Sequence, residues 1–105
     1  MKLNNVDFML LWKTWNKNPN HIIFTKLQNN SEQSYNFAIY LIMNNKEVPE
    51  RFLQTIAKDS EWSYDFARYL IRNNKEVPKI IKKSAREYRD DLRFNESFKQ
   101  CYNKL

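Results

Sequence analysis

Residues 31–49 read SEQSYNFAIYLIMNNKEVP and residues 60–78 read SEWSYDFARYLIRNNKEVP, identical at fifteen of nineteen positions at an offset of 29. A tandem repeat of this length restricts the fold sharply. Each unit is one supersecondary element that cannot bury its apolar face alone, so neighbouring units must share a core. Such folds present surfaces to partners, and chemistry has to be argued separately.

Within the repeat, the first half predicts a helix. Ser31 and Ser60 read as N-caps, and Glu32 and Glu61 fall in the first turn, where the helix dipole favours negative charge. Tyr35, Ala38, Leu41 and Ile42 have helical spacing, as do Tyr64, Ala67, Leu70 and Ile71, with Phe37 and Phe66 widening the stripe. The chain has no glycine, so helix stops must use the next best left-handed residue, asparagine. Asn29-Asn30, Asn44-Asn45 and Asn73-Asn74 each follow an apolar-periodic run. Pro49 and Pro78 then fit the first position of a second helix, with Val48 and Val77 held extended before them. The second helices bury Phe52, Leu53, Ile56 and Ala57 in one copy and Ile81, Ala85, Tyr88 and Leu92 in the other.

A degenerate copy precedes these two, with Phe8, Leu11, Trp12 and Trp15 on its first helix and Ile22, Ile23 and Leu27 on its second. Asn18-Pro19 matches Val48-Pro49. Phe94, Phe98, Cys101 and Tyr102 predict a last helix. The expected fold is therefore all-α: a right-handed α-solenoid-like stack of three helix–turn–helix hairpins with a C-terminal closing helix. Residues 1–105 read as one domain, divided into a hairpin at 5–30, repeats at 31–59 and 60–92, and a cap at 93–105. The helices are expected near 5–16, 20–28, 32–44, 49–58, 61–73, 78–91 and 94–103.

Composition excludes several activities. Without glycine there is no Gly-rich phosphate loop and no dinucleotide fingerprint. His21 is the only histidine and nothing beside it completes a metal or nucleophile set, so a surface or packing role is expected. Cys101 is a lone thiol, which excludes a disulfide within the chain and fits a reducing compartment. No carboxylate pair sits in an apolar run. The expectation is a protein with no enzymatic activity, no cofactor and no metal. No apolar run approaches the roughly 18–20 residues of a membrane span, and Phe8–Trp12 is too short for a secretion signal. A soluble, cytoplasmic protein is expected, in the host cytoplasm if phage-encoded, with no membrane partner.

The net charge of +6 is uneven, since residues 1–59 hold seven basic and five acidic side chains and residues 60–105 hold eleven and seven. Arg68, Arg72, Lys75, Lys79, Lys82, Lys83, Arg86, Arg89 and Arg93 make a basic stripe, of which Lys79, Lys82, Arg86, Arg89 and Arg93 are expected to line one side of a single helix, opposite Ile81, Ala85, Tyr88 and Leu92. It reads as a surface for an acidic or nucleic-acid-loaded protein, for nucleic acid itself, or as a solvated outer face. Aromatic residues do not interleave with it, which disfavours stacking on single strands.

The positions that differ between copies are Gln33/Trp62, Asn36/Asp65, Ile39/Arg68 and Met43/Arg72. Ile39 and Met43 either pack under the N-terminal hairpin or form an exposed apolar contact face. Trp62, opposite a glutamine in the other copy, joins them as an alternative partner-binding set.

The segment A-x-Y-L-I-x-N-N-K-E-V within this unit resembles the short helical-hairpin repeats of uncharacterised proteins from AT-rich bacteria, their phages and large DNA viruses. The likeness covers residues 31–78 and, weakly, 5–30. It implies the αα-hairpin fold and carries no common activity. A small free-standing array without enzyme motifs also resembles, in style, the inhibitors that phages use against host defence, including anti-CRISPR proteins. The implied function is a helical-repeat module that binds a nucleic-acid-handling host protein by occupying a surface or groove. A nucleic-acid-binding module using the same stripe and a structural fragment of a longer array are the alternatives.

Overall fold

The computed structural model describes residues 5–91, and the side chains of residues 7–88. Among the described residues the protein is all-α, with no strand: α1 (Asn5–Lys17), α2 (Ile22–Gln28), α3 (Ser31–Met43), α4 (Glu50–Ala57), α5 (Ser60–Arg72) and α6 (Lys79–Asp91). These bounds agree with the expected ones to within two residues. The expected cap at 93–105, with Phe94, Phe98, Cys101 and Tyr102, lies outside the described residues, as does Leu92. The chain forms two compact units, Met1–Thr55 and Ile56–Leu105.

The repeat dictates helix ends that are alike in both copies. Asn44 and Asn73 are C-caps, and Asn45 and Asn74 follow with φ of 57° each. The N–H groups of Lys46 and Lys75 donate to the carbonyls of Leu41 and Leu70 at 2.8 Å, and those of Asn45 and Asn74 to Ile42 and Ile71 at 3.1 Å. This pair of bonds is a Schellman motif, and in a chain without glycine asparagine supplies its left-handed residue.

The starts of α3, α4, α5 and α6 each depart from expectation by one residue. Asn30 and Asp59 are the N-caps, and Ser31 and Ser60 are the first helical residues. Asn30 Oδ1 accepts from the Gln33 N–H at 2.9 Å, and Asp59 Oδ1 accepts from Glu61 and Trp62 at 3.0 and 3.2 Å. Asn and Asp cap as well as Ser, and Asp adds charge that suits the dipole. Asn29-Asn30 is therefore not a stop like the other asparagine pairs: Asn29 ends α2 and Asn30 begins α3. Pro49 and Pro78 likewise stand one residue before α4 and α6, their carbonyls accepting the first helical bonds, from Leu53 at 3.4 Å and Lys82 at 2.9 Å. Pro19 is not equivalent to them, because α2 starts three residues beyond it, after a turn closed by Asn18 Oδ1 and the Asn20 N–H at 3.1 Å.

The first unit is built on Phe8 and Leu11 of α1, Phe24 and Leu27 of α2, Phe37 and Leu41 of α3 and Phe52 of α4, all buried. Trp12, Trp15, Ile23, Tyr40 and Val48 pack on this cluster. Phe37 and Phe52 meet edge to face at 5.2 Å, and Trp15 and Phe24 at 5.0 Å, the arrangement that aromatic quadrupoles favour. The inner face of α2 differs from expectation. Ile22 is 70% exposed and Phe24 takes the buried place. In the second unit α5 packs against α6, and Tyr64, Phe66, Ala67, Leu70, Val77, Ile81 and Ala85 are buried. Ala57, expected in the core, is half-buried.

Candidate interaction surface

The outer face of α6 follows from its buried one. Ile81, Ser84 and Ala85 are buried, and Tyr88 lies against Tyr64 with ring centroids 5.4 Å apart. At 100° per residue, Lys79, Lys83 and Arg86 fall diametrically opposite, and all three are exposed. Arg72, the last residue of α5, and Lys75, in the α5–α6 connector, are exposed as well. The Schellman bond from the Lys75 N–H to the Leu70 carbonyl fixes the backbone that carries Lys75. The exposed cations Arg72, Lys75, Lys79, Lys83 and Arg86 thus follow one another along the connector and α6.

Other members of the sequence stripe stand apart from these. Lys82 is half-buried at the flank of α6. Arg68 is half-buried on α5, 3.7 Å from the Asp65 carboxylate, with its guanidinium 5.8 Å from the centre of the Tyr64 ring. The side chain of Arg89 and the whole of Arg93 lie outside the described residues. Burial raises the Asp65 carboxyl from its ordinary value, and Arg68 opposes that shift without cancelling it. Glu76 and Glu87 are the carboxylates exposed on the same stretch.

The alternative set divides between the units. Ile39 is half-buried and Met43 is 68% exposed on α3 of the first unit, and Trp62 is half-buried on α5 of the second. The packing role expected for Met43 under the N-terminal hairpin is not observed. Ser34, Phe37, Ala38 and Leu41 define the buried side of α3, and Met43 projects from the other. Met43 and its counterpart Arg72 are both exposed, so one repeat position displays a thioether in one copy and a guanidinium in the other.

Three features escaped the sequence reading. Ser34 Oγ donates to the Leu27 carbonyl at 2.7 Å and Ser63 Oγ to the Ile56 carbonyl at 2.8 Å, in both cases tying a helix to the last turn of the one before. Their identity in the two copies was the available signal. Arg51 donates to the Pro19 carbonyl at 2.6 Å and to Gln28 Oε1 at 2.9 Å, with its guanidinium 5.2 Å from the Trp15 ring centre. Nothing in its spacing announces that clamp, which depends on contacts 23 and 32 residues away in the chain. His21, expected on the surface, is exposed and caps α2, Nδ1 accepting from the Ile23 N–H at 3.1 Å.

Among the described residues no group of three or more His, Cys, Asp or Glu is placed to hold a metal ion, and no helix is long and apolar enough to cross a membrane. No protein-family model matches the chain, and neither a curated protein nor a solved structure matches it.

Proposed function

We propose that this chain is a non-enzymatic helical-repeat module that binds a protein. In this reading it is a phage or mobile-element inhibitor, comparable in style to anti-CRISPR proteins, and its target is a nucleic-acid-handling protein of the host cytoplasm. The right-handed solenoid stacking of the hairpins is the expectation of the repeat itself, and it belongs to this reading. The observation that carries the proposal is the exposed cationic run Arg72, Lys75, Lys79, Lys83 and Arg86, along the end of α5, the connector and the side of α6 opposite its buried face. Charged faces of this kind steer encounter with oppositely charged partners and select among them.

The test is affinity capture from the native host lysate, read by mass spectrometry. Wild type is compared with a variant reversed in charge at Lys79, Lys82, Arg86 and Arg89, and with Trp62→Ala. The reading expects a defined protein set retained by wild type and by Trp62→Ala, and lost from the charge-reversed variant. A set that survives charge reversal and disappears with Trp62→Ala would move the working surface to Ile39, Met43 and Trp62. No enrichment over a bare matrix would contradict protein binding altogether.

A further inference from the structure

We infer that the α6 face is seated on the phosphate backbone of double-stranded nucleic acid carried by the partner, rather than in an empty groove of that partner. This rests on the protein-binding reading above and names the chemistry at its contact. The first argument is sign. A groove that holds nucleic acid is lined with cations, and a second cationic surface is repelled from it. The face therefore fits such a partner only where negative charge is displayed, and loaded nucleic acid displays it most densely.

Composition supplies the second argument. Between residues 72 and 88 the chain carries six basic side chains and two carboxylates, Glu76 and Glu87. Four of the six are lysines, the residue depleted at protein–protein interfaces and suited to phosphate contacts. Among the described residues, no apolar or aromatic anchor of the kind that concentrates binding energy between proteins stands in the middle of the face. Tyr88 packs tilted against Tyr64, and Ile80, 38% exposed, sits at the edge. Among the described residues no exposed ring lies between the charges, which disfavours stacking on single-strand bases. Among the described residues, Arg72, Lys75, Lys79 and Lys83 take part in no ion pair. Lys79 and Arg86 are separated by about 10 Å along the helix axis, with Lys75 and Arg72 extending the run beyond its start.

The measurement is fluorescence anisotropy with a labelled 20-base-pair DNA duplex of random sequence, titrated with the full chain from 50 to 200 mM salt. Counterion release at five cations predicts log K falling against log salt with a slope of about −4.5. Lys79→Gln with Lys83→Gln, which keeps the helix and removes two charges, should make the slope shallower by about 2. A single strand of equal length should bind more weakly. No saturable binding at 50 mM salt, or a slope indifferent to the double substitution, overturns the inference. If duplex binding fails while lysate capture still depends on the charges, the face reads protein carboxylates and the protein-binding reading stands. If the duplex binds with the expected slope and the lysate yields no protein, the protein-binding reading falls, and with it the loaded partner.

Discussion

Ser34 and Ser63 occupy the same place in the two copies and make the same bond, each hydroxyl reaching the carbonyl seven residues back. Both are fully buried, so removing one hydroxyl leaves no water to replace it. Ser63→Ala should destabilise the protein by about 1 kcal/mol, measured by denaturant unfolding, and Ser34→Ala by a similar amount. Asp65 behaves in the opposite sense. Its carboxyl is raised from its ordinary value by burial, so the unfolded chain gives up this proton more readily than the folded one. The folded state is therefore relatively favoured below the ordinary carboxyl value, and that advantage is lost as pH rises from there through the raised value of the folded state. Asp65→Asn, which installs the residue found at Asn36 in the other copy, should raise the melting temperature at pH 7. The gain should vanish near pH 3, where both states are protonated. A gain independent of pH would show that the effect is not ionisation. These two behaviours were unequally legible. The recurrence of serine was visible in the sequence, but burial at Asp65 depends on how α5 sits in its unit.

At the scale of the helix, the ends were the most legible part of the chain. Proline and asparagine restrict the backbone locally, so they mark boundaries whatever the tertiary packing does. The one-residue shift at the N-caps arose because Asn30-Ser31 and Asp59-Ser60 each offer two good caps in a row, and periodicity cannot choose between neighbours. The face of α2 was not legible for a related reason. Ile22, Ile23 and Phe24 are consecutive in a helix of seven residues, and a run of three apolar side chains has no helical phase. Packing decides it, by setting Phe24 against Trp15 and Phe52. The left-handed turns give a sharp prediction. Asn45→Ala and Asn74→Ala should each cost roughly 1 kcal/mol, and Asn→Gly at either site should be neutral or stabilising in thermal melts. Equal effects of Ala and Gly would contradict a backbone origin.

For the molecule as a whole, comparing the two copies separates scaffold from surface. Identical positions such as Ala38, Phe37, Leu41 and their counterparts Ala67, Phe66 and Leu70 are buried, as the repeat required. Ala38→Asp or Leu70→Asp should unfold the protein, because an unpaired carboxylate would be forced into the core, and an unchanged melt would contradict that placement. The outer face of α6 was legible as a stripe, since helical spacing alone puts its cations opposite Ile81 and Ala85. Which cations lead was not. Arg68 is engaged with Asp65 and Tyr64, Lys82 is partly covered, and Lys83 stands in the open. The account's central claim is that this face binds while the repeat merely holds it. The most direct measurement records, on one sample of a Lys79→Glu, Lys83→Glu and Arg86→Glu variant, both the melting temperature and the binding to the lysate partner at 150 mM salt. The account predicts a melt within a few degrees of wild type, as for exposed substitutions, together with at least a tenfold loss of binding. Binding at wild-type strength, or binding lost only because the helices have melted, would contradict it.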